Sequence, residues 1–87
     1  MNILYHKKFL KDLSSLPSGD RVRIEKYAFD HVTTLKAFDQ LGAEKLHGFK
    51  FFYKVRFGNY RVGLPYENET VTFERVLHRK EIYRFFP

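Results

Sequence analysis

The stretch that decides the fold is Phe51-Phe52-Tyr53-Lys54-Val55-Arg56-Phe57-Gly58-Asn59-Tyr60-Arg61-Val62-Gly63-Leu64. Its apolar and charged residues alternate, which predicts a β-strand with one apolar and one cationic face. Gly58-Asn59 is typical of a two-residue hairpin turn. Closing this turn sets up four cross-strand pairs: Phe57–Tyr60, Arg56–Arg61, Val55–Val62 and Lys54–Gly63. Directly opposed like charges destabilise a sheet by roughly 0.2–1 kcal/mol. The Arg56–Arg61 pair therefore indicates an anion that both guanidinium groups bind.

The composition predicts one small domain over residues 1–87. Apolar residues make up 44% of the chain, and ten Phe and six Tyr can form a core without a disulfide or a metal. The sequence has no cysteine, no apolar run of membrane-spanning length and no signal-peptide pattern. We therefore expect a cytoplasmic protein that does not insert into a membrane.

The charge balance narrows the class of partner. Sixteen Lys and Arg against ten Asp and Glu give a net charge of +6, which attracts nucleic acid or an acidic protein. A basic surface that only maintains solubility is the alternative. His6, His31 and His47 lack the spacing of metal ligands, so we expect no metal site and no cofactor.

Two amphipathic helices are predicted after a short first strand at the N-terminus. The first helix ends at Pro17-Ser18-Gly19 and carries an apolar stripe of Phe9, Leu10, Leu13 and Leu16. The second begins near Ser18 or Asp20 and carries a stripe of Ile24, Ala28, Val32 and Leu35. We expect an antiparallel helical hairpin, followed by a connector over residues 37–48.

A third strand of the meander is predicted over residues 70–77, after a turn around Glu67-Asn68-Glu69. A turn of even length keeps Val71 opposite Leu64 on the apolar face. A three-residue turn would instead point the polar side chains of this strand into the core. The even length is therefore expected.

The end of this third strand poses a packing problem. The expected register sets Glu74 beside Arg61 on the polar face, and it points Arg75 toward the core. A β-bulge, or a strand end from which the side chain reaches water, would resolve this. The tail Glu81–Pro87 is expected to be a short strand or turn whose aromatic residues dock on the sheet.

This order of elements predicts an α+β fold. An N-terminal strand and a helical hairpin precede a mainly antiparallel β-meander, with the helices packed on one face of the sheet. The other face is expected to be open and to carry Lys54, Arg56 and Arg61.

Four short motifs, in this order along nearly the whole chain, resemble the RelE/ParE superfamily of type II toxins. They are Lys45-Leu46-x-Gly48, Tyr53-Lys54-Val55-Arg56, Gly58-Asn59-Tyr60-Arg61-Val62 and Val76-Leu77-His78-Arg79-Lys80-Glu81-Ile82-Tyr83. The resemblance implies the RelE-like toxin fold and a cognate antitoxin as partner. RelE-like members cut messenger RNA in the ribosomal A site, whereas ParE-like members poison DNA gyrase. We favour the RelE-like branch, with the ribosome and mRNA as partners.

The resemblance also implies a cleavage set of basic residues on the central strands with a late tyrosine. By position, its members here are Lys54, Arg56, Arg61, Arg79 and Tyr83. His78 joins the candidates because related ribosome-dependent toxins use a late histidine and because we expect it beside the basic residues.

Metal-free RNA cleavage needs a base for the 2′-hydroxyl, positive charge for the phosphorane and an acid for the leaving oxygen. Arg56 and Arg61 suit the charge role, since arginine stays protonated and binds phosphate through a planar fork. Lys54 is the candidate base, because neighbouring positive charge disfavours its ammonium form. Tyr83 could stack on a base, orient the hydroxyl or pass a proton, and His78 could act as acid or base. A ribosome that fixes the RNA in line would supply much of the catalysis.

Structural interpretations of the same residues remain open. Arg61 could pair with Glu74 across the strands, and Lys54 could be an ordinary solvated lysine. Tyr83 could be a core aromatic, and His78-Arg79-Lys80 could be a solvated charge run. On these interpretations the chain is a ParE-like gyrase inhibitor or a non-catalytic binding module of the same fold.

Overall fold

The computed structural model describes residues 1–87 and contains a six-stranded sheet and three α-helices. The strands are β1 (Asn2–Tyr5), β2 (Glu44–Lys45), β3 (Phe52–Phe57), β4 (Tyr60–Glu67), β5 (Thr70–Phe73) and β6 (Arg75–His78). The helices are α1 (Lys7–Ser14), α2 (Ser18–Glu25) and α3 (Ile82–Phe85). The strand order is β1-β5-β4-β3-β2, and β6 also pairs with β4. Only the β1–β5 pair is parallel, so the predicted α+β architecture is confirmed.

The hairpin of β3 and β4 forms with the predicted register. All four predicted pairs are present, and Arg56 faces Arg61 across the ladder. Gly58 has a φ of +58°, the left-handed conformation that a tight hairpin turn requires at its first central residue. The local turn sequence was therefore sufficient to define this part of the sheet.

The helices cover one face of the sheet, as predicted. The side chains buried between them and the sheet are Phe9, Leu13, Ile24, Ala28, Val32, Leu41, Val55, Val62, Leu64, Val71, Phe73 and Val76. Leu10, which was expected in the first apolar stripe, is instead exposed. The helices α1 and α2 have eight residues each, and none of the helices could span a bilayer.

The second helix changes its winding after α2. It continues as a π-helical segment (Lys26–His31) and a 3-10 turn (Val32–Thr34). The Tyr5 hydroxyl of β1 donates to the Ala28 carbonyl oxygen within this segment, at 2.5 Å. This bond satisfies a carbonyl in the wider turn and ties the helix to the first strand.

The connector after the helices is more ordered than its sequence indicated. A 3-10 turn (Phe38–Leu41) ends at Gly42, whose φ is +74°. The Tyr27 hydroxyl donates to the Leu41 carbonyl oxygen at 2.6 Å, and burial raises the pKa of Tyr27 to about 12. These contacts hold the connector against the helical layer.

The turn between β4 and β5 is Asn68-Glu69, and both residues have positive φ. It has the even length that we predicted, but the predicted register is wrong by two residues. Val71 faces Tyr66 rather than Leu64. Because side chains alternate with a period of two, Val71 still reaches the core.

The predicted third strand is divided at Glu74 into β5 and β6 by a one-residue bulge. An unbroken ladder from β5 would bring Arg75 opposite Val62 and into the core. The extra residue puts Val76 in that place and turns Arg75 to the opposite face of the sheet. Of the two expected solutions for Arg75, the bulge is confirmed.

Arg75 is bound by Asp12 of α1. Arg75 Nε donates to Oδ2 at 2.7 Å and Nη2 donates to Oδ1 at 3.0 Å, and the two side chains are 18% and 12% exposed. The same carboxylate accepts the backbone N–H of Val76 at 3.2 Å. Hydrogen bonding to Asp12 raises the pKa of Arg75. Asp12 thus satisfies the free edge of β6 and fixes α1 against the sheet.

We predict that Asp12→Ala lowers the free energy of unfolding by about 2–3 kcal/mol, because it leaves a mostly buried guanidinium and an edge N–H without their acceptor. Urea unfolding measures this. Glu25→Ala is the control, since its 4.0 Å pair with Arg21 is about 40% exposed and should contribute less than about 1 kcal/mol. Equal effects of the two variants would contradict the role of Asp12.

Candidate functional site

The candidate site lies on the face of the sheet opposite the helices. Lys54 and Arg56 of β3 and Arg61 of β4 project from this face, and we call the three residues the basic face. Lys54 and Arg61 are partly buried, whereas Arg56 is exposed. The hairpin therefore places the three predicted cations together.

The C-terminal tail covers part of this side of the sheet, which is less open than we predicted. The tail forms the single helical turn α3 rather than a strand. Ile82 and Phe86 are buried, and the other side chains of their cluster are Leu46, Phe52 and Leu77. Of the tail aromatics, Phe86 docks on the sheet as expected, while Tyr83 and Phe85 stay exposed.

A glycine makes room for the tail. The Phe86 ring lies directly over Gly63, where an added Cβ would be 2.6 Å from the ring. Gly63 faces Lys54 across the hairpin. Sequence reasoning paired these two residues but missed the role of Gly63. The available signal was the only glycine inside an otherwise well-formed strand, which is typical of close approach by another group.

Docking of the tail brings Tyr83 to Lys54. Lys54 Nζ donates to the Tyr83 hydroxyl oxygen at 2.6 Å and lies 5.2 Å from the centre of the ring. Tyr83 is 59% exposed. Tyr83 is therefore not a core aromatic, and Lys54 is not a lysine that contacts only solvent.

Arg61 is held by the hairpin turn. Its Nη1 donates to the carbonyl oxygens of Gly58 at 2.7 Å and Tyr60 at 3.0 Å. The expected Glu74 neighbour is wrong, because the register differs by two residues after the Asn68-Glu69 turn and by one more after the bulge, which leaves Leu77 opposite Arg61. The other two guanidinium nitrogens, Nε and Nη2, make no hydrogen bond within the chain.

Two further predicted arginines differ in their placement. Arg56 makes no hydrogen bond or ion pair within the chain, although it faces Arg61. Arg79 follows β6, is exposed, and its backbone N–H donates to the Asn59 carbonyl oxygen at 2.7 Å. Arg79 therefore lies at the tip of the hairpin, beside the arginine pair.

His78 does not join the basic face, so its predicted location is wrong. It faces Tyr60, with ring centres 5.6 Å apart, on the side of the sheet that the helices cover. Its Nδ1 accepts the backbone N–H of Lys80 at 3.1 Å. The reason is the bulge at Glu74, which reverses the face of every later residue in the strand.

Sequence comparisons match nearly the whole chain to known toxins. Residues 3–83 match a family model described as the ParE toxin of the type II toxin-antitoxin system, parDE. The chain is 39% identical to toxin RelE3 of Methanocaldococcus jannaschii over 88 residues, which cover all of both chains.

Solved structures share the fold. A chain in the RelB-RelE antitoxin-toxin complex from Methanococcus jannaschii matches with a TM-score of 0.79 at 36% identity, covering 97% of this chain and 99% of that chain. The isolated E. coli RelE toxin matches with a TM-score of 0.65, covering 95% of this chain and 90% of that chain. Its identity is 21%, so this second likeness concerns the fold alone.

We predict that Gly63→Ala lowers the free energy of unfolding by about 1–3 kcal/mol, because the new methyl group meets the Phe86 ring. The same substitution should cost much less in a Phe86→Ala background, where the ring is absent. Chemical unfolding of the single and double variants measures the coupling.

Gly19→Ala is the matched control, since nothing lies within 4 Å of an added Cβ in α2. This change should be neutral or stabilise the protein by about 0.5 kcal/mol. An equal cost of Gly63→Ala in both backgrounds would show that the Phe86 ring is not the constraint.

Proposed function

The chain belongs to the RelE/ParE superfamily of type II toxins and is RelE-like, and from this premise we propose that it is a ribosome-dependent endonuclease that cuts mRNA in the A site without a metal ion. The observation that carries the proposal is the 2.6 Å hydrogen bond between Lys54 and Tyr83 on the basic face. A cationic surface alone could bind any polyanion. An amine and a phenol in direct contact also provide a route for proton transfer, which favours RNA cleavage over mere binding of a polyanion.

The proposed proton transfers use this pair. Lys54 takes the proton of the 2′-hydroxyl, whose oxygen attacks the adjacent phosphorus and displaces the 5′-oxygen. Tyr83 gives its proton to the departing 5′-oxygen and recovers one from Lys54 through their hydrogen bond. The bond between phosphorus and the 5′-oxygen breaks, a 2′,3′-cyclic phosphate forms, and the protons balance.

The arginines supply the charge that the crowded phosphorane needs. Arg61 is fixed by two turn carbonyls and keeps two nitrogens for phosphate oxygens, and the guanidinium of Arg56 is free on the facing strand. Both donate charge-assisted hydrogen bonds where negative charge develops. We assign Arg79, at the hairpin tip, to a neighbouring phosphate. This use of Arg56 and Arg61 explains a cross-strand pair that folding alone disfavours.

The ribosome is the proposed source of positioning. The basic face is an exposed surface rather than a closed cleft, so it can hold a phosphate but cannot by itself align the RNA for in-line attack. Fixing the reacting groups can supply several kcal/mol of the barrier. Free RNA should then be cut poorly.

A cognate antitoxin is the second proposed partner. Chains of this fold are found in the RelB-RelE antitoxin-toxin complex from Methanococcus jannaschii and in the toxin-antitoxin complex RelBE2 from Mycobacterium tuberculosis. The chemistry of the basic face suits an acidic segment that covers it and neutralises its charge.

We predict that Tyr83→Phe lowers the cleavage rate about 10²-fold or more while the fold is retained, because the variant keeps the ring and loses the proton donor. The measurement is mRNA cleavage at A-site codons in a cell-free translation system. Tyr53→Phe is the control, since Tyr53 adjoins Lys54 on the opposite face of β3.

The same assay, run beside a measurement of DNA cleavage by gyrase, separates the two branches of the superfamily. If transcripts stay intact when translating ribosomes are treated with the unaltered protein, the nuclease proposal is overturned. Gyrase-dependent DNA breaks with translation unaffected would instead support the ParE-like alternative, the branch that the description of the matched family model names.

We also predict opposite outcomes for two basic residues. Arg56→Ala should lower cleavage about 10²-fold with little change in stability, because its guanidinium is exposed and binds nothing within the chain. His78→Gln should leave cleavage within a few-fold of the unaltered protein, since His78 lies on the other side of the sheet. A cleavage defect for His78→Gln that equals that of Arg56→Ala would contradict this division of the two faces.

A further inference from the structure

An exposed phenylalanine lies at the end of the basic face away from the hairpin tip. Phe49 belongs to the loop between β2 and β3 and is 45% exposed. Its ring packs edge-on against Phe52, at 6.1 Å between centres and 86° between planes. Phe52 packs in the same way against Phe86, at 5.5 Å and 79°. Phe52 and Phe86 thus support one side of the Phe49 ring and leave the rest of its surface in solvent.

The surroundings of Phe49 are cationic. Residues 45–61 contain no Asp or Glu and include five cations: Lys45, Lys50, Lys54, Arg56 and Arg61. Glu44 of β2, which faces Lys54 across the ladder, is the carboxylate next to this stretch, so the cations outnumber it. Apolar surface alone would suit a protein segment, but the charge around it selects an anionic partner. A ligand that joins a flat apolar group to a negative charge at each repeat fits both features, and single-stranded nucleic acid is that ligand.

Phe49 lies close to the proposed catalytic lysine, Lys54. Phe52 and Lys54 are two residues apart on β3, so they share a face of the sheet about 7 Å apart. Phe49 lies against Phe52 on the side away from Lys54 along the strand. A nucleotide next to the one held at Lys54 could therefore place its base over the Phe49 ring.

We propose that Phe49 is a stacking platform for a base of single-stranded RNA that flanks the scissile phosphodiester. The inference rests on the proposed function, because the RNA strand is the one that the basic face would hold. Stacking on an aromatic ring tolerates any base, so Phe49 positions the strand without reading its sequence. It is a positioning residue and takes no part in proton transfer.

The experiment measures binding to RNA without a ribosome and without cleavage. Because the chain has six tyrosines but no tryptophan, Phe49→Trp introduces a single indole at the proposed platform, which is excited selectively at wavelengths that tyrosine does not absorb. Titration with a short oligouridylate at low salt should quench this fluorescence saturably, since the uracil ring stacks on the indole. Inorganic polyphosphate, which has the charge and no bases, should leave the fluorescence nearly unchanged.

Phe29→Trp is the matched control. Phe29 is 37% exposed and lies against Tyr5, at 4.9 Å between ring centres, away from the basic face. The oligouridylate should not quench this variant. Equal quenching of the two variants, or no quenching at position 49, would overturn the proposal.

A second pair of substitutions separates stacking from general apolar contact. Phe49→Tyr keeps a flat ring and should bind labelled oligouridylate as the unaltered protein does. Phe49→Leu keeps apolar bulk without a π-face and should weaken binding about fivefold or more. Equal affinities for these variants would indicate that the ring serves a protein partner instead. Cleavage on ribosomes is measured separately, so loss of the stacking proposal and loss of the nuclease proposal give different results.

Discussion

The one-residue bulge at Glu74 is the constraint on which the two faces of the sheet depend. It places Val76 in the core and turns Arg75 outward to the carboxylate of Asp12. It also points Leu77 toward the C-terminal tail and His78 toward the helices. Without the bulge, the guanidinium of Arg75 would be buried and the side chain of Val76 would be exposed. Leu77 would then face the core and no longer support the tail. One unpaired residue thus decides which side chains of the last strand reach the basic face.

Features that depend on local interactions were predicted from the sequence, whereas features that depend on distant residues were not. The hairpin follows from Gly58-Asn59 and strict alternation, both of which lie within a few residues of each other, so its register and the three cations of the basic face were predictable. The bulge was one of two solutions for Arg75, and choosing it requires Asp12, 63 residues away in the chain. The Glu74–Arg61 neighbours were wrong because the register after the Asn68-Glu69 turn differs by two residues from the expected one, whereas the location of His78 was wrong because it followed from an unbroken ladder.

The tail could be predicted only in outline. The aromatic residues after Glu81 indicated docking, and Phe86 does dock, but the sequence did not show which rings would be buried. That choice depends on Gly63, because its lack of a side chain leaves the space over β4 that the Phe86 ring occupies. Tyr83 lies between Ile82 and Phe86 in the sequence. Burial of these two side chains therefore brings Tyr83 to Lys54. The motif resemblance named both Lys54 and Tyr83, but the contact between them is a consequence of packing.

The candidate site joins a hairpin that belongs to the main core and a tail that is anchored by a small cluster. Lys54, Arg56 and Arg61 lie on a hairpin whose other face belongs to the main core, whereas Tyr83 lies on one helical turn anchored by a small cluster built on Leu46, Ile82 and Phe86. Segments with few buried apolar side chains open at lower free energy than the core of a domain. Opening of the tail would separate Tyr83 from Lys54 while the hairpin kept its cations in place. Binding of a polyanion and proton transfer therefore depend on different elements: the first requires only the hairpin, and the second requires the tail to stay docked on Gly63.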